Sequence, residues 1–320
     1  MRPGGATSLF LLLASAIASF VAAYAFLPWL IRSLRGTSAV GKDLNKPNRP
    51  LIPEMGGLGV ILGFYVGVGL LVIVAANEIP GPFYYASLVA VLGAGAVGLM
   101  DDMFRMRNRM KAILPFLMAV PLGSVVFASG DTYVLGFDVG VLVLVAVPFG
   151  ITCAANAANM LEGLNGLGAG MGVIMSLALI GLAFVTGDAQ GLYVVFPLVG
   201  ALLAFLLFNK YPAKVFPGDS MTLFTGAAIA AAAIVAHQKT YGALLFLPMI
   251  AEFLLKARGH FQGENYGTPD NAGRLRHSGR VESLAHLVMK RRPMKEWQVV
   301  LVLWCLEAAL CAVIIGSVVA

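Results

Sequence analysis

Most of the chain consists of long apolar runs, and the length of each run is close to the roughly 20 residues that cross a bilayer core. Ten runs can be counted in the 320 residues, with approximate limits at 7–31, 56–77, 82–100, 112–129, 139–155, 167–187, 190–208, 221–237, 240–256 and 297–319. The runs are unbroken, whereas the strands of a barrel would alternate apolar and polar residues. The pattern predicts an all-α polytopic membrane protein with about ten transmembrane helices, forming a single domain over 1–320.

The composition also indicates that lipid surrounds much of the protein. Hydrophobic residues make up 59% of the chain and charged residues 12%, about half the charged share of a soluble domain. The three cysteines, Cys153, Cys305 and Cys311, have no metal or redox spacing, and we expect them to be small buried side chains. The first apolar run is too long for a signal peptide and is interpreted as the first span.

The distribution of charge predicts the orientation. Of the 22 Lys and Arg residues, 20 follow helices 1, 3, 5, 7 and 9, and only Arg2 and Lys239 lie on the other side. The positive-inside rule therefore places those loops and their polar residues in the cytoplasm and both termini outside. The net charge of +6 is explained by this topology and requires no nucleic acid. We expect an integral protein of a prokaryotic plasma membrane.

One cytoplasmic connection is much longer than the others. It spans about 257–296, between helices 9 and 10, and includes the amphipathic stretch Val281–Met289 followed by Lys290, Arg291 and Arg292. Connections of this length are often functional. We expect the amphipathic stretch to lie in the membrane interface.

Unusual polar residues gather on the predicted cytoplasmic side. They follow the ends of the third, fifth and seventh helices: Asp101 and Asp102; Asn156, Asn159, Glu162 and Asn165; and Asp219 after Pro217–Gly218. Neighbouring carboxylates attract a divalent cation when they converge with other oxygen donors. The basic run from Arg105 to Lys111 adds cations suited to phosphate.

Each of these motifs also has a purely structural explanation. Adjacent aspartates are common at solvated helix ends, buried asparagines join helices, and Asp219 could cap the helix that begins near Met221. The basic run equally serves as an orientation signal. A secondary transporter is a further alternative, but it would place polar groups near the bilayer midplane and show repeat symmetry.

Four segments, in order, resemble those of a known family. They are GKDLNKPNRPLIPEMGGLGV (41–60), GLMDDMFRMRNRMKAILP (98–115), NAANMLEGLNGLGAG (156–170) and NKYPAKVFPGDS (209–220). The chain resembles the polyprenyl-phosphate N-acetylhexosamine-1-phosphate transferases, of the glycosyltransferase family 4 type, and is most similar to the eukaryotic and archaeal UDP-GlcNAc:dolichyl-phosphate branch. Glu162 stands where bacterial members have Asp, and the last cytoplasmic loop lacks their histidine-rich signature.

The resemblance implies an activity. The family transfers N-acetylglucosamine-1-phosphate from UDP-GlcNAc to a polyprenyl phosphate, dolichyl or undecaprenyl, and releases UMP. It implies Mg²⁺ as cofactor, with Mn²⁺ as a substitute, and direct attack by the lipid phosphate is the preferred hypothesis. Another UDP-sugar, UDP-GalNAc or UDP-MurNAc-pentapeptide, stays open as the donor, and so does a homodimer.

The resemblance also implies roles for individual residues. Asn159 and Asp219 would face the metal, and the catalytic group would comprise Asp101, Asp102, Lys111 and Asn156, with Asp101 as a candidate base. Substrate contacts would come from Lys42, Asn45, Glu54, Arg107, Glu162, Gly163, Asn165, Phe216, Lys256, Arg258 and His260. Among these, Phe216 would stack on uracil, and Lys256, Arg258 and His260 would contact the diphosphate and sugar.

Overall fold

The computed structural model describes residues 6–76, 79 and 81–319 and is mostly helical. Nine of the described helices are long and apolar enough to cross a membrane. They are α1 (Ala6–Leu34), α2 (Gly57–Val74), α3 (Gly81–Phe104), α4 (Asn108–Ala128), α5 (Val143–Leu161), α6 (Leu167–Thr186), α7 (Leu192–Asn209), α8 (Gly218–Val235) and α12 (Glu296–Val319). The prediction of an all-α polytopic membrane protein is confirmed. Arg2 and residue 77 lie outside the described residues.

The predicted span 240–256 is broken. It consists of α9 (Lys239–Leu245) and α10 (Leu247–Arg258), which are bent by 55°, and counting them as one span gives ten. Pro248 lies in the first turn of α10. It lacks the N–H that a continuous helix would donate to the carbonyl of Leu244, so the chain bends at Phe246.

Helix α8 lies at the centre of the bundle, against α3, α5 and α2. Small residues at the contacts of α8 with its neighbours allow the helices to approach closely. Gly98 of α3 is one such contact, since a Cβ there would lie 2.3 Å from the carbonyl oxygen of Asp219. This contact brings the end of α3, which extends beyond the predicted limit of 100 to Phe104, against the beginning of α8.

Short strands lie in the connections at the ends of the bundle. An antiparallel hairpin, β1 (Val40–Lys42) and β2 (Leu51–Pro53), precedes α2, and β3 (Tyr133–Val134) pairs with β4 (Phe137–Asp138). We call the end of the bundle that carries the β1–β2 hairpin the site face. The connection predicted as a loop over 257–296 contains β5 (Thr268–Pro269), β6 (Arg274–Arg276), α11 (Leu284–Arg291) and β7 (Met294–Lys295), and its three strands form one sheet.

The amphipathic stretch expected in the membrane interface forms α11, but one side of it packs against protein. Ala285, His286 and Met289 are buried. Glu252 of α10 accepts hydrogen bonds from Ser283 Oγ (3.1 Å) and Leu284 N (2.7 Å). The carboxylate thereby anchors the N-terminus of α11 to α10, and only the other side of α11 remains exposed.

The expectation for the cysteines holds for one of three. Cys311 is buried, whereas Cys153 and Cys305 are exposed on the surface of the bundle. In lipid, an apolar side chain gains little from moving into the protein interior, so hydrophobicity alone did not distinguish the two environments.

Candidate functional site

A polar cavity of about 370 Å³ lies at the site face. It is formed by the ends of α3, α5 and α7, the beginning of α8, the segment after β1 and part of the 257–296 connection. Eleven residues predicted from the sequence line it: Lys42, Asn45, Glu54, Asp101, Asp102, Asn159, Glu162, Gly163, Asn165, Phe216 and Asp219. Side chains from four distant segments of the chain therefore meet in one place.

Lys111 joins two of the carboxylates. Its Nζ lies 2.7 Å from Oδ2 of Asp101 and 2.6 Å from Oδ2 of Asp219. The three residues come from α3, α4 and α8 and are largely shielded from solvent. One ammonium thus neutralises two carboxylates that would otherwise repel each other at the wall of the cavity.

Asn159 completes this cluster from α5. Its Nδ2 donates to Oδ2 of Asp219 (3.0 Å), and its Oδ1 accepts from Thr222 Oγ1 (3.0 Å). The predicted metal pair is therefore in direct contact. Asn156, one turn earlier, instead donates to the backbone carbonyls of Thr152 (2.9 Å) and Lys111 (3.3 Å), so it joins α5 to α4 behind the cavity.

Asp102 holds the beginning of α8. Its Oδ1 accepts from Asp219 N (2.7 Å) and its Oδ2 from Ser220 N (3.1 Å), so it satisfies two N–H groups that the first turn of a helix leaves unpaired. Gly218 makes this approach possible. It has a φ of +69°, and a Cβ there would lie 2.4 Å from Oδ2 of Asp102. The structure therefore gives Asp102 the capping role that the sequence left open for Asp219.

A buried polar network fixes Asn165. Its side-chain amide donates to Asp43 Oδ2 (3.1 Å), and its backbone N–H donates to Glu296 Oε1 (2.7 Å). Lys46 contacts both acids, at 3.0 Å from Asp43 Oδ2 and through a shorter contact to Glu296 Oε2. The network ties the β1–β2 hairpin to the first turn of α12 and presents Asn165 to the cavity.

Glu162 is an unusual carboxyl between α5 and α6. Its Oε2 accepts from Gly168 N at 3.1 Å. Burial raises the pKa of Glu162 to about 7, against the opposing effect of the N–H donors. It can therefore hold or release a proton near neutral pH at the cavity wall.

The 257–296 connection contributes Tyr266. Its neighbours are both fixed: Asn265 Nδ2 donates to the carbonyls of Met160 (2.9 Å) and Glu162 (2.7 Å), and Gly267 N donates to Asn45 Oδ1 (3.1 Å). Asn45 in turn donates to the carbonyl of Gly163 at 2.9 Å. Tyr266 thus lies across the cavity between α5 and the β1–β2 hairpin.

The cations predicted for the diphosphate and sugar do not line the cavity. Lys256 Nζ donates to the carbonyl of Met160 (2.7 Å) and lies 3.8 Å from Glu252 Oε1, so it binds the C-terminus of α5. Arg258 donates to the carbonyl of Val281. His260 and Arg107 are exposed. Attraction of a cation to helix carbonyls accounts for the position of Lys256 at the end of α5, and its contact with substrate stays a prediction.

Several lining residues were not among those predicted, notably Asp43, Arg105, Thr222 and Tyr266. Asp43 lies inside the first matched segment and Arg105 begins the basic run, so both carried a sequence signal. Nothing in the sequence around Tyr266 indicated a position in the cavity.

An apolar groove of about 420 Å³ has a lining separate from that of the polar cavity. Residues of α5, α8, α9 and α10 line it, and exposed Phe149, Cys153 and Ile250 place its opening on the lipid-facing surface. One end reaches Ala157, between Asn156 and Asn159. The other reaches Lys239, which pairs with Asp131 at 2.6 Å. The groove therefore runs along α5 from Ala157, two residues from Asn159, towards the opposite face of the bundle.

The donor set fits a hard cation. Among the described residues, no group of three or more His, Cys, Asp or Glu side chains could hold a metal alone. Mg²⁺ does not require such a group, because it commonly binds one or two carboxylates together with substrate phosphates. Asp219 supplies carboxylate oxygens at the cavity wall, and Asn159 lies in contact with it, with its own Oδ1 accepting from Thr222 Oγ1.

Comparison with known proteins gives consistent matches. The model of glycosyl transferase family 4 matches residues 84–237. A provisionally named UDP-N-acetylglucosamine–dolichyl-phosphate N-acetylglucosaminephosphotransferase of Saccharolobus solfataricus is 41% identical, over 93% of this chain and 95% of that protein. A protein of the same provisional name from Sulfolobus acidocaldarius is 36% identical, over 97% of this chain and 98% of its own length.

A bacterial enzyme also matches. A phospho-N-acetylmuramoyl-pentapeptide-transferase of Shouchella clausii is 32% identical, over 72% of this chain and 75% of that protein. The matched region 84–237 includes the Asp101–Asp102 pair, Lys111, Asn159 and Asp219.

Proposed function

Because this chain belongs to the polyprenyl-phosphate N-acetylhexosamine-1-phosphate transferases of glycosyltransferase family 4, we propose that it transfers N-acetylglucosamine-1-phosphate from UDP-GlcNAc to a polyprenyl phosphate of the dolichyl type. The products are GlcNAc-diphospho-polyprenol and UMP. The two relatives at 41% and 36% identity, both named for this donor and acceptor, support the choice of substrates.

One observation in the structure carries the proposal. The last two turns of α5 take part in both the polar cluster of Lys111, Asn159 and Asp219, through Asn159, and the apolar groove, through Ala157. A polyprenyl phosphate has the same division, since an anionic head is joined to a long apolar chain. With its phosphate at the cluster, the first isoprene units would lie along the groove and the rest of the chain in the bilayer.

The site face is proposed to be cytoplasmic, in a prokaryotic plasma membrane. The loops predicted to follow odd-numbered helices hold 20 of the 22 Lys and Arg residues, and such an excess is typical of the cytoplasmic side. A water-soluble UDP-sugar would reach the cavity from that side.

Asn159 and Asp219 would hold Mg²⁺. When bound, the ion would neutralise charge on the diphosphate, and Mn²⁺ would be expected to replace it. Lys111 supplies a fixed positive charge at the same point, 2.6 Å from Asp219. Since both substrates are anionic, neutralising and aligning them is the main catalytic task of these side chains.

The proposed reaction is a direct displacement. An oxygen of the lipid phosphate forms a bond to the sugar-bearing phosphorus, and the bond from that phosphorus to the bridging oxygen breaks, so that UMP leaves with the electron pair. A phosphate monoester has a second pKa of about 6, and the nucleophile is therefore largely ionised already. Asp101, whose Oδ2 contacts Lys111, would orient that ammonium and accept any remaining proton.

Uridine would occupy the part of the cavity near Asn165 and Phe216. Asn165 is held by Asp43 and Glu296, so its amide is presented in a fixed position. Phe216 offers an aromatic face for stacking. Glu54, Lys42 and Tyr266 line the same cavity and would contact the rest of the nucleotide sugar.

UDP-MurNAc-pentapeptide is the second candidate donor, favoured by the 32% identity to the Shouchella clausii enzyme. The acceptor and the reaction would be unchanged. Donor panels that include UDP-GalNAc would distinguish these substrates.

The test uses purified protein in detergent with ¹⁴C-labelled UDP-GlcNAc, Mg²⁺ and a polyprenyl phosphate. Label should become extractable into organic solvent with the wild type, and EDTA or Asp219→Ala should abolish it. A folded wild type that labels no prenyl phosphate with any UDP-sugar would refute the transferase proposal. Trapping a phosphorylated Asp101 or Asp102 during turnover would refute direct displacement but not the transferase proposal.

A further inference from the structure

The polar cavity offers little positive charge to an anionic substrate. Among the described residues that line it, the basic ones are Lys42 and Arg105. Lys111 contacts two of the lining carboxylates, those of Asp101 and Asp219, so its charge is already balanced. The lining carboxyl groups are more numerous and belong to Asp43, Glu54, Asp101, Asp102, Glu162 and Asp219. A diphosphate entering this cavity would therefore gain most from a cation that no carboxylate has neutralised.

The backbone fixes Arg105 at the end of α3. Its N–H donates to the carbonyl of Asp101 (2.8 Å), and the N–H of Met106 donates to Asp101 Oδ1 (2.6 Å). Between these two bonds, Arg105 adopts a φ of +50°, a left-handed conformation that favours glycine after a helix because a Cβ is strained there. The arginine side chain is thus present at a cost to the backbone. Residues held in this way cluster at active sites and ligand-binding sites.

The charge of Arg105 lies close to the proposed metal ligand Asp219. Burial raises the pKa of the Glu54 carboxyl, the positive charge of Arg105 opposes this rise, and the negative charge of Asp219 adds to it. Both charges therefore act on one carboxyl in the same part of the cavity. In the part of the chain that the structure describes, the guanidinium of Arg105 forms no ion pair, so its N–H donors are available to a ligand.

We propose that Arg105 binds the diphosphate of the nucleotide sugar. Its planar guanidinium can donate two parallel hydrogen bonds to phosphate oxygens, while Lys111 stays with its two carboxylates. This charge would add to those predicted for three other cations, none of which lines the cavity: Lys256, Arg258 and His260. The inference rests on the proposed function, because it takes a uridine diphosphate sugar as the ligand.

The test compares two ligands that differ by one phosphate. Calorimetry on the purified full chain in detergent with Mg²⁺ gives the affinities for UDP and for UMP, in the wild type and in Arg105→Gln. Arg109→Gln is the matched control, since Arg109 is an exposed cation of the same basic run and does not line the cavity. A further variant, Arg105→Gly, removes the side chain and also relieves the backbone.

Arg105→Gln should lower the affinity for UDP about tenfold, the equivalent of one hydrogen bond to a charged group, with a smaller loss for UMP. Arg109→Gln should change neither affinity. Arg105→Gly should lose as much affinity for UDP as Arg105→Gln, with a Tm no lower than that of the wild type, because glycine adopts a φ of +50° without strain. A lower Tm accompanying the lost affinity would indicate a structural role and overturn the proposal.

An unchanged affinity for UDP in Arg105→Gln would also overturn the proposal, and a raised KM for polyprenyl phosphate in that variant would then assign the guanidinium to the acceptor phosphate. Equal losses for UDP and UMP would place Arg105 at the nucleoside monophosphate instead of the diphosphate. These results leave the proposed function intact. A folded wild type that binds neither UDP nor UMP would contradict the proposed function itself.

Discussion

Lys111 Nζ lies 2.6 Å from Oδ2 of Asp219, although the two residues are 108 positions apart and belong to different helices. Asp101 contacts the same nitrogen at 2.7 Å. The ion pair is shielded from bulk water, which strengthens its electrostatic effect. The ammonium of Lys111 therefore holds the proposed metal ligand Asp219 in place and also supplies positive charge at the proposed phosphate site.

Removal of the Lys111 charge should abolish most of the transfer activity. Lys111→Met is expected to lower kcat by about 10² to 10³, the cost of losing one positioned charge-stabilising group, measured with labelled UDP-GlcNAc. Lys214→Met, an exposed lysine near the same face, should leave kcat unchanged. Equal effects of the two substitutions would contradict the assigned role.

Asp102 is expected to act mainly on the stability of α8. Asp102→Ala leaves the N–H groups of Asp219 and Ser220 without their acceptor, at a cost of about 1–2 kcal/mol. Thermal unfolding in detergent should show a larger fall in Tm than for Asp101→Ala. Asp101 accepts a hydrogen bond from Met106 N and contacts Lys111, but it does not cap α8. A smaller fall for Asp102→Ala would refute the capping role.

The pH dependence of stability should contain a contribution from Glu162. Its pKa is raised by burial from 4.5 to about 7. A carboxyl with a raised folded-state pKa stabilises the fold fully below its unfolded pKa, and this contribution is lost as the pH rises through the folded value. The Tm of the wild type relative to Glu162→Gln should therefore fall between pH 4.5 and about pH 7 and then level off. A Tm difference that is constant over pH 4.5–8 would show that Glu162 does not titrate in this window.

Tyr266 should determine the affinity for the nucleotide sugar. Burial, followed by the charges of Glu264, Glu162, Glu54 and Asp43, raises the pKa of its phenol, which keeps the hydroxyl protonated as a hydrogen-bond donor. Tyr266→Ala should raise the KM for UDP-GlcNAc about tenfold, the equivalent of one aromatic contact, with a small effect on kcat. Tyr266→Phe keeps the ring and removes the hydroxyl, so it separates the contributions of the two groups to the KM. Tyr65→Ala, on the exposed side of α2, is the control, and a KM change shared by both alanine variants would exclude a specific role.

The spans and much of the site could be predicted because local patterns specify them. Apolar runs gave the helices, and motif segments at helix ends gave Asp101, Asn159 and Asp219. The bend at Phe246 also had a local cause in Pro248, but an apolar run alone does not reveal it. The positions of Lys256 and Tyr266 could not be predicted, because Lys256 donates to Met160 and Asn265, beside Tyr266, donates to Glu162, each about 100 positions away. Hydrogen bonds of this kind are specified by the folded chain rather than by spacing.

The apolar groove gives a prediction that separates the two substrates. Cys153 lines the groove, whereas Cys305 is exposed on α12 and does not. Cys153→Trp should fill the groove and raise the KM for polyprenyl phosphate at least tenfold, while the affinity for UMP, measured by calorimetry, should stay within about twofold of the wild type, since the nucleotide lies in the polar cavity. Cys305→Trp adds the same volume on the lipid-facing surface and should change neither value. If Cys153→Trp uses the lipid as well as the wild type does, the isoprene chain leaves the site by another route; a loss of UMP binding would instead indicate that the substitution distorts α5 and the cluster at its end.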